Sequence, residues 1–377
     1  MDITYEGNRL TLRDGADFRH TYSALWLRES SFSPEFRDEK TGHKLGDGDR
    51  LPLDIALASA TLRDEELHLA FTDGHRCAYS TAWLVDTAKK PFFQELAGDR
   101  ELFDASLDPL PWHDLADLQA RPAAIRDTLD DLARLGFALV RGVPAVLNGM
   151  QAFIDLIGYM RVTNNGAIED IKAVPPEQAY DLSMTPRALE PHTDNPYRIP
   201  QPGYVLLHCL ENAAEGGESG ITDGFRAAEE LRKESPALFD ALATTPVNWF
   251  YRDEQAILED TSTFIELDRQ GEICHVRFHG RSDRVAAVDS DRLDAFYEAR
   301  RRFIALIRSD ALEVRLKLQA GEMFIVDNYR IVHSRKAFRL ETGARHMRQA
   351  YIDRDVVSSR QKTLRRSLNA KPWRVRS

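Results

Sequence analysis

Cysteine is scarce: Cys77, Cys209 and Cys274 are the only thiols among 377 residues, far apart and odd in number. That excludes a disulfide framework and a paired-thiol metal knuckle, and it reads as buried small hydrophobes in a reducing compartment. No apolar run approaches the ~18 residues of a membrane helix. The opening MDITYEGNRL has neither the basic nor the apolar region of a signal peptide, so the protein is expected to be cytoplasmic with no membrane partner. Basic charge is also short, 50 Lys and Arg against 60 Asp and Glu for a formal charge of −10. A face that neutralises phosphate needs the opposite balance, and no nucleic-acid partner is expected. Internal repeats are missing too. What remains is ordinary globular composition, 43% hydrophobic and 29% charged, with enough chain for two domains or one large one.

Residues 1–95 read as a small β-rich domain of short alternating segments, with hairpin signals at Asp14-Gly15 and Asp73-Gly74. The polar, proline-punctuated DASLDPLPWHDL (104–115) lies in a linker assigned to 96–115, and 116–377 form the second domain. There AAIRDTLDDLARLG (123–136) has apolar residues at helical spacing, ends at Gly136, and runs into the strand FALVRGV. Helices are also expected at 149–160, 225–243 and 290–309, and strands at 202–210, 263–279, 312–318, 322–327 and 346–353. The class is mainly β with peripheral helices.

The chemistry concentrates in EPHTDNPYRIPQPGYVLLHCL (190–210) and GEMFIVDNYRIVHSRKAF (321–338). His192 and Asp194 stand two apart, so an extended segment puts both on one face. His333 follows a strongly apolar strand. Two imidazoles and one carboxylate make the facial triad of a non-haem Fe(II) oxygenase, with positions left open for a bidentate co-substrate and dioxygen. An HxD triplet alone is a weak signal, because such triplets arise by chance. A keto-diacid co-substrate also needs a cation for its far carboxylate, a role suited to arginine. Arg345 lies in the next strand, where alternation can aim it into the same cavity, and Arg348 is the competitor.

EPHTDNPY, LLHCLENAAEGGESGITDGF, VDNYRIVHSRKAF and ARHMRQAYIDRD, in this order, resemble the γ-butyrobetaine hydroxylase and trimethyllysine hydroxylase branch of the Fe(II)/2-oxoglutarate oxygenases. LWLRESSFSPEF and TDGHRCAYSTAWL are similar to that branch's small β-domain, so the likeness covers nearly the whole chain. The resemblance implies a distorted double-stranded β-helix, a two-sheet jelly roll, with iron at one open end. It also implies iron ligands His192, Asp194 and His333, 2-oxoglutarate held by Arg345 with Ser219 beside it, dioxygen as oxidant, ascorbate as a stimulant, and a homodimer.

The sequence departs from that pattern in three places. Relatives bind a structural zinc through three Cys and one His, whereas this chain has Ser31, Ser33 and Phe36 at the cysteine positions and keeps only His75. One imidazole cannot close a tetrahedral site, so no structural zinc is expected and Trp26, Leu27, Phe71 and Trp83 are assigned to hold the small domain by burial. Relatives cage a trimethylammonium with aromatic faces. Asn165, Glu169 and Met184 occupy three of those positions here and Tyr351 retains a fourth, which leaves Asp181, Glu169 and Tyr180 as candidates to meet a cation. In FHGRSDR (278–284), His279, Arg281 and Arg284 replace an Asn-rich segment, with Asn195, Tyr197 and Arg198 near. So many donors suit a three-oxygen head, a phosphonate or a sulfonate, with the phosphonate preferred. The expected substrate is therefore a small zwitterion, 2-(trimethylamino)ethylphosphonate hydroxylated next to phosphorus, in phosphonate catabolism. γ-Butyrobetaine, giving carnitine, is the alternative. A zinc hydrolase or a catalytically inactive binding protein are the rivals from other classes.

Overall fold

A computed structural model describes residues 1–46, 51–89, 100–179 and 182–368. The chain divides into two units, Met1–Ala97 with Arg366–Ser377, and Gly98–Arg365.

In the smaller unit both Asp-Gly pairs close hairpins, with Gly15 and Gly74 in the left-handed region (φ 60° and 88°) that a side chain disfavours. Asp2–Glu6, Arg9–Asp14 and Phe18–Ser23 form one antiparallel sheet, and Leu57–Arg63, Glu66–Phe71 and Arg76–Ser80 form another. Alternation sends Leu10, Leu12, Leu67, Leu69 and Phe71 into one core with Leu27, Tyr79 and Leu84. Trp26 and Trp83 are half-buried and stack at 5.8 Å, and Tyr79 stacks on Trp83 at 5.4 Å. Ser31 and His75 meet in a 2.8 Å hydrogen bond, and the Arg37 guanidinium donates to the Ser31 and Gly42 carbonyls at 2.8 and 2.9 Å.

The larger unit is two facing sheets. One has six strands in the order Trp112–Asp114, Phe137–Arg141, Met323–Asp327, Tyr204–Asn212, Arg345–Ile352 and Ile168–Lys172. The other has four, Leu189–His192, Ile331–Arg335, Ser219–Asp223 and Glu313–Leu316. Apart from the first pair, Trp112–Asp114 beside Phe137–Arg141, neighbours in these two sheets are not consecutive in the chain, which is the crossing pattern of a jelly roll. Phe137, Leu139, Val205, Phe324 and Val326 from the first sheet pack with Ile221, Val314 and Ile331 from the second. The first sheet's other face, with Leu206, Ile325 and Ala350, is covered by Pro122–Leu135, Gln151–Ile157 and Arg354–Leu368. Helices Gly224–Glu234 and Ser290–Ile307 make a third core with Trp249, Phe264 and Val276. None of the described helices is long and apolar enough to cross a membrane.

Several expectations from the sequence change. The stretch assigned as linker belongs to the larger unit from Gly98 onward: Phe103 is buried between the sheets, Ala105 N–H bonds the Ala311 carbonyl at 3.0 Å, and Trp112–Asp114 pairs in parallel with Leu139–Arg141. The stretch ends in an edge strand rather than a tether, with the Pro111 carbonyl accepting from Leu139 N–H at 2.9 Å. The helix expected over 225–243 is two, because Ser235 caps a new start by accepting from Leu238 N–H (3.4 Å) and Pro236 takes the first helical position. The strand expected over 263–279 is also two, Ile265–Leu267 and Ile273–Val276, turning at Gly271 (φ 82°). Helix Pro122–Leu135 does end at left-handed Gly136 (φ 81°), where a Cβ would come within 2.9 Å of Arg330.

Candidate metal centre

His192 is the last residue of its strand and lies directly across from His333, their ring centroids 4.4 Å apart. The His192 Nδ1–H donates to the Glu190 carbonyl at 2.8 Å, which fixes the ring and leaves Nε2 as a lone-pair donor. Asp194 Oδ1 sits 3.3 Å from His192 Nε2 and 3.7 Å from His333 Nε2. Ligand atoms of all three lie within 4.8 Å of one another, the single such group among the described residues. Burial pushes the Asp194 carboxyl up, but His333, His192 and the Tyr351 hydroxyl outweigh it and hold it well below the usual carboxylate range. Burial, reinforced by His192, pushes His333 down to about 4. Asp194 therefore presents a carboxylate and His333 a neutral imidazole at neutral pH, the protonation state that a divalent ion needs, and the donor set of two histidines and one carboxylate fits Fe(II).

The reason Asp194 faces the histidines differs from the expected one. Its segment is no longer a strand there, so alternation does not aim it. Two side chains set the carboxylate instead: Gln349 Nε2 donates to Oδ2 at 2.6 Å and Tyr351 Oη donates to the same oxygen at 3.0 Å, which turns Oδ1 toward the imidazoles.

These groups line a cavity of about 650 Å³ that also contains Ser219, Tyr197, Tyr251, Asn195, His279, Arg281, Arg335 and Arg345. Arg345 is 3% exposed. Its Nε has no hydrogen-bond partner among the described residues, its guanidinium lies 5.5 Å from the Phe338 ring, and burial pushes it down to about 10. Arg348, three residues on, projects from the other face of the strand and pairs with Asp170 at 3.1 Å. Of the two arginines, the cavity takes Arg345. Ser219 is buried at the start of Ser219–Asp223, opposite Arg335.

Residues 99–351 match the family model described as taurine catabolism dioxygenase TauD, TfdA family. The chain belongs to that family.

Similar curated proteins match this family member over nine-tenths of its length or more. A γ-butyrobetaine dioxygenase of Pseudomonas sp. (strain AK-1) is 32% identical, covering 91% of this chain and 90% of its own. The γ-butyrobetaine dioxygenase of Homo sapiens is 27% identical with 91% of each chain covered, and a trimethyllysine dioxygenase of Meyerozyma guilliermondii is 27% identical over 96% and 94%. Among solved structures, AAD-2 in complex with Mn(II) and N-oxalylglycine overlays 68% of this chain and 98% of its own with a TM-score of 0.52 at 12% identity, a likeness of fold. Membership makes the protein an enzyme of the dioxygenase class.

The remaining residues of this TauD/TfdA member divide into those at the cavity and those away from it. The Tyr197 hydroxyl donates to Asn195 Oδ1 at 2.6 Å, and its ring stacks on Tyr251 at 5.0 Å. Asn195 adopts a left-handed φ of 49°. His279 stands edge-on to His192 at 5.5 Å, and burial, with His192 and Arg281 adding to it, pushes it down to about 3. Arg281 lines the wall with its side chain exposed. Arg284 does not join it, because its guanidinium lies 3.8 Å over the Phe250 ring. Asn165 and Glu169 line the cavity, and beside them it is Ser183, not Met184, that does so. Asp181 and Tyr180 lie outside the described residues. Sequence reasoning missed Gln349 and Tyr251; the first was within reach, since it alternates with Arg345 and Tyr351 along one strand face.

Proposed function

We propose that this TauD/TfdA member is an Fe(II)/2-oxoglutarate-dependent hydroxylase of a small trimethylammonium acid, with γ-butyrobetaine as the leading substrate. The observation that carries it is Arg345, a buried guanidinium with no carboxylate partner among the described residues, facing the cavity that holds His192, Asp194 and His333. An unpaired buried cation is costly unless a ligand neutralises it, and a dicarboxylate that chelates the metal with one end would reach it with the other. Bound Fe(II) supplies dioxygen activation coupled to oxidative decarboxylation of 2-oxoglutarate to succinate and CO2, leaving one oxygen for a substrate C–H bond. The protein's own work is positioning: the triad holds the metal, Gln349 and Tyr351 orient its carboxylate, Arg345 and Ser219 seat the co-substrate, and Tyr197, His279 and Arg281 line the substrate side.

Similarity to γ-butyrobetaine dioxygenases over 91% of the chain supports the carboxylate substrate over the phosphonate one. A second reading rests on the lining: Asn165 and Glu169, which the resemblance assigns to cage positions, line the cavity without offering rings, and Arg281 and His279 line it too. It keeps 2-(trimethylamino)ethylphosphonate on the panel. The test is succinate formation from 2-oxoglutarate with Fe(II) across γ-butyrobetaine, trimethyllysine, the phosphonate and taurine. γ-Butyrobetaine should stimulate most, and selective stimulation by the phosphonate would replace it. Succinate formation that no member of the panel stimulates would reject the trimethylammonium class.

A further inference from the structure

Asp194 poses a mechanical problem. The strand Leu189–His192 has ended before it, and Asn195 after it is left-handed, so no repeating backbone pattern holds the metal carboxylate in place. Its main chain is nonetheless fully bonded. The Asp194 N–H donates to Asn328 Oδ1 at 2.7 Å, and Asn328 Nδ2 donates to the Asp194 and Pro202 carbonyls at 2.9 Å each. Gln201 Nε2 donates to the same Asp194 carbonyl at 2.9 Å. Gln201 is braced in turn: its Oε1 accepts from His275 Nε2 at 2.8 Å, and the His275 ring lies flat on Tyr329 at 3.8 Å. Asn328, Gln201 and His275 are 0, 1 and 3% exposed, and none lines the cavity.

The location of Asn328 gives the network its meaning. It lies in the turn between Met323–Asp327 and Ile331–Arg335, the strand that carries His333. A single side chain therefore ties the segment bearing His192 and Asp194 to the turn that delivers the third ligand. Such amides satisfy buried backbone groups that would otherwise be orphaned, and they fix a ligand from behind, as outer-shell partners of metal sites do.

We propose that Asn328 and Gln201, braced by His275, are positioning residues that set the spacing of Asp194 to the two histidines and thereby the affinity and geometry of the metal. The proposal rests on the triad being the metal site, and the experiment separates the two. Co(II) binding to the full chain is followed by ligand-field absorption, giving a dissociation constant and a spectrum, with thermal unfolding of the metal-free protein measured in parallel. Asn328→Asp keeps the shape and one acceptor but loses both donors. It should weaken Co(II) binding ~10- to 100-fold and alter the spectrum. Gln201→Met and His275→Phe, the latter retaining a ring on Tyr329, should shift affinity in the same direction by less, and they carry the test if Asn328→Asp does not fold. Gln361→Met, which removes a buried amide bonded to Asp130, should change stability without changing affinity or spectrum. Clamp variants that lose stability but bind Co(II) with the wild-type constant and spectrum, while Asp194→Ala binds weakly, would overturn the clamp. Unchanged affinity in Asp194→Ala would instead reject the metal site itself.

Discussion

Replacing Arg345 with methionine should make the metal-free protein more stable and the enzyme useless. Burial pushes this guanidinium from 12.5 down to about 10. At about 1.4 kcal/mol per tenfold change in proton affinity, keeping it charged near neutral pH costs folding about 3 kcal/mol. The sign follows from the direction: the unfolded chain binds the proton more tightly, so the penalty is present in full at pH 7 and fades only as pH rises above about 10. Methionine retains the apolar stem against Phe338 and removes the charge. Allowing for imperfect packing, a net gain of about 2 kcal/mol corresponds to ~4–8 °C in melting temperature for a domain of this size. Binding moves the other way. Truncating one partner of a buried charge-assisted pair costs about 2–5 kcal/mol, roughly 30- to several-thousand-fold in affinity for 2-oxoglutarate. Thermal unfolding with and without 2-oxoglutarate and Co(II) reads both effects. The keto acid should raise the wild-type melting temperature and leave that of Arg345→Met unmoved. Arg348→Met should keep the ligand shift, because its partner is Asp170. If Arg345→Met melted below wild type and 2-oxoglutarate still raised it, the guanidinium would be a structural group and the co-substrate assignment would fall.

His192→Ala, Asp194→Ala and His333→Ala should each abolish coupled succinate formation and weaken Co(II) binding at least tenfold, since a three-ligand site has no spare donor; a fully active single variant would remove that residue from the triad. His208, fully buried and flanked across the sheet by Met323 and Arg348, is pushed down to about 4 by burial, with Arg348 adding to it. Its contribution is intact above pH 6.5 and is lost as pH falls toward 4, about 2 kcal/mol by pH 5. Urea denaturation at pH 7.5 and pH 5 should show that loss, and His208→Leu should reduce it; an equal loss in the variant refutes the assignment. Arg281→Ala should raise the substrate Michaelis constant several-fold and spare that of 2-oxoglutarate, whereas Arg284→Ala, which only uncovers Phe250, should change neither; equal effects would place the acid-binding side elsewhere.

Local patterns in the sequence were enough for the hairpins at Gly15 and Gly74 and the helix capped by Gly136. Each of these depends on neighbours within a few residues, through a left-handed φ, a 3.6-residue apolar spacing or a strand alternation. Alternation also separates Arg345 from Arg348 once the strand's register is known, but only the pairing of Asn212 with Arg345 and Glu211 with His346 supplies that register. Tertiary structure alone decided the rest. Phe103 and Trp112 look like linker residues until a sheet lies beside them. Asp194 reaches the histidines not by periodicity but because Asn328, Gln349 and Tyr351 arrive from distant parts of the chain and, with Gln201 seven residues on, hold its backbone and one carboxylate oxygen. Such contacts span up to 157 residues, and nothing in the local sequence encodes a hydrogen bond whose partner is brought near only when two sheets close over one another.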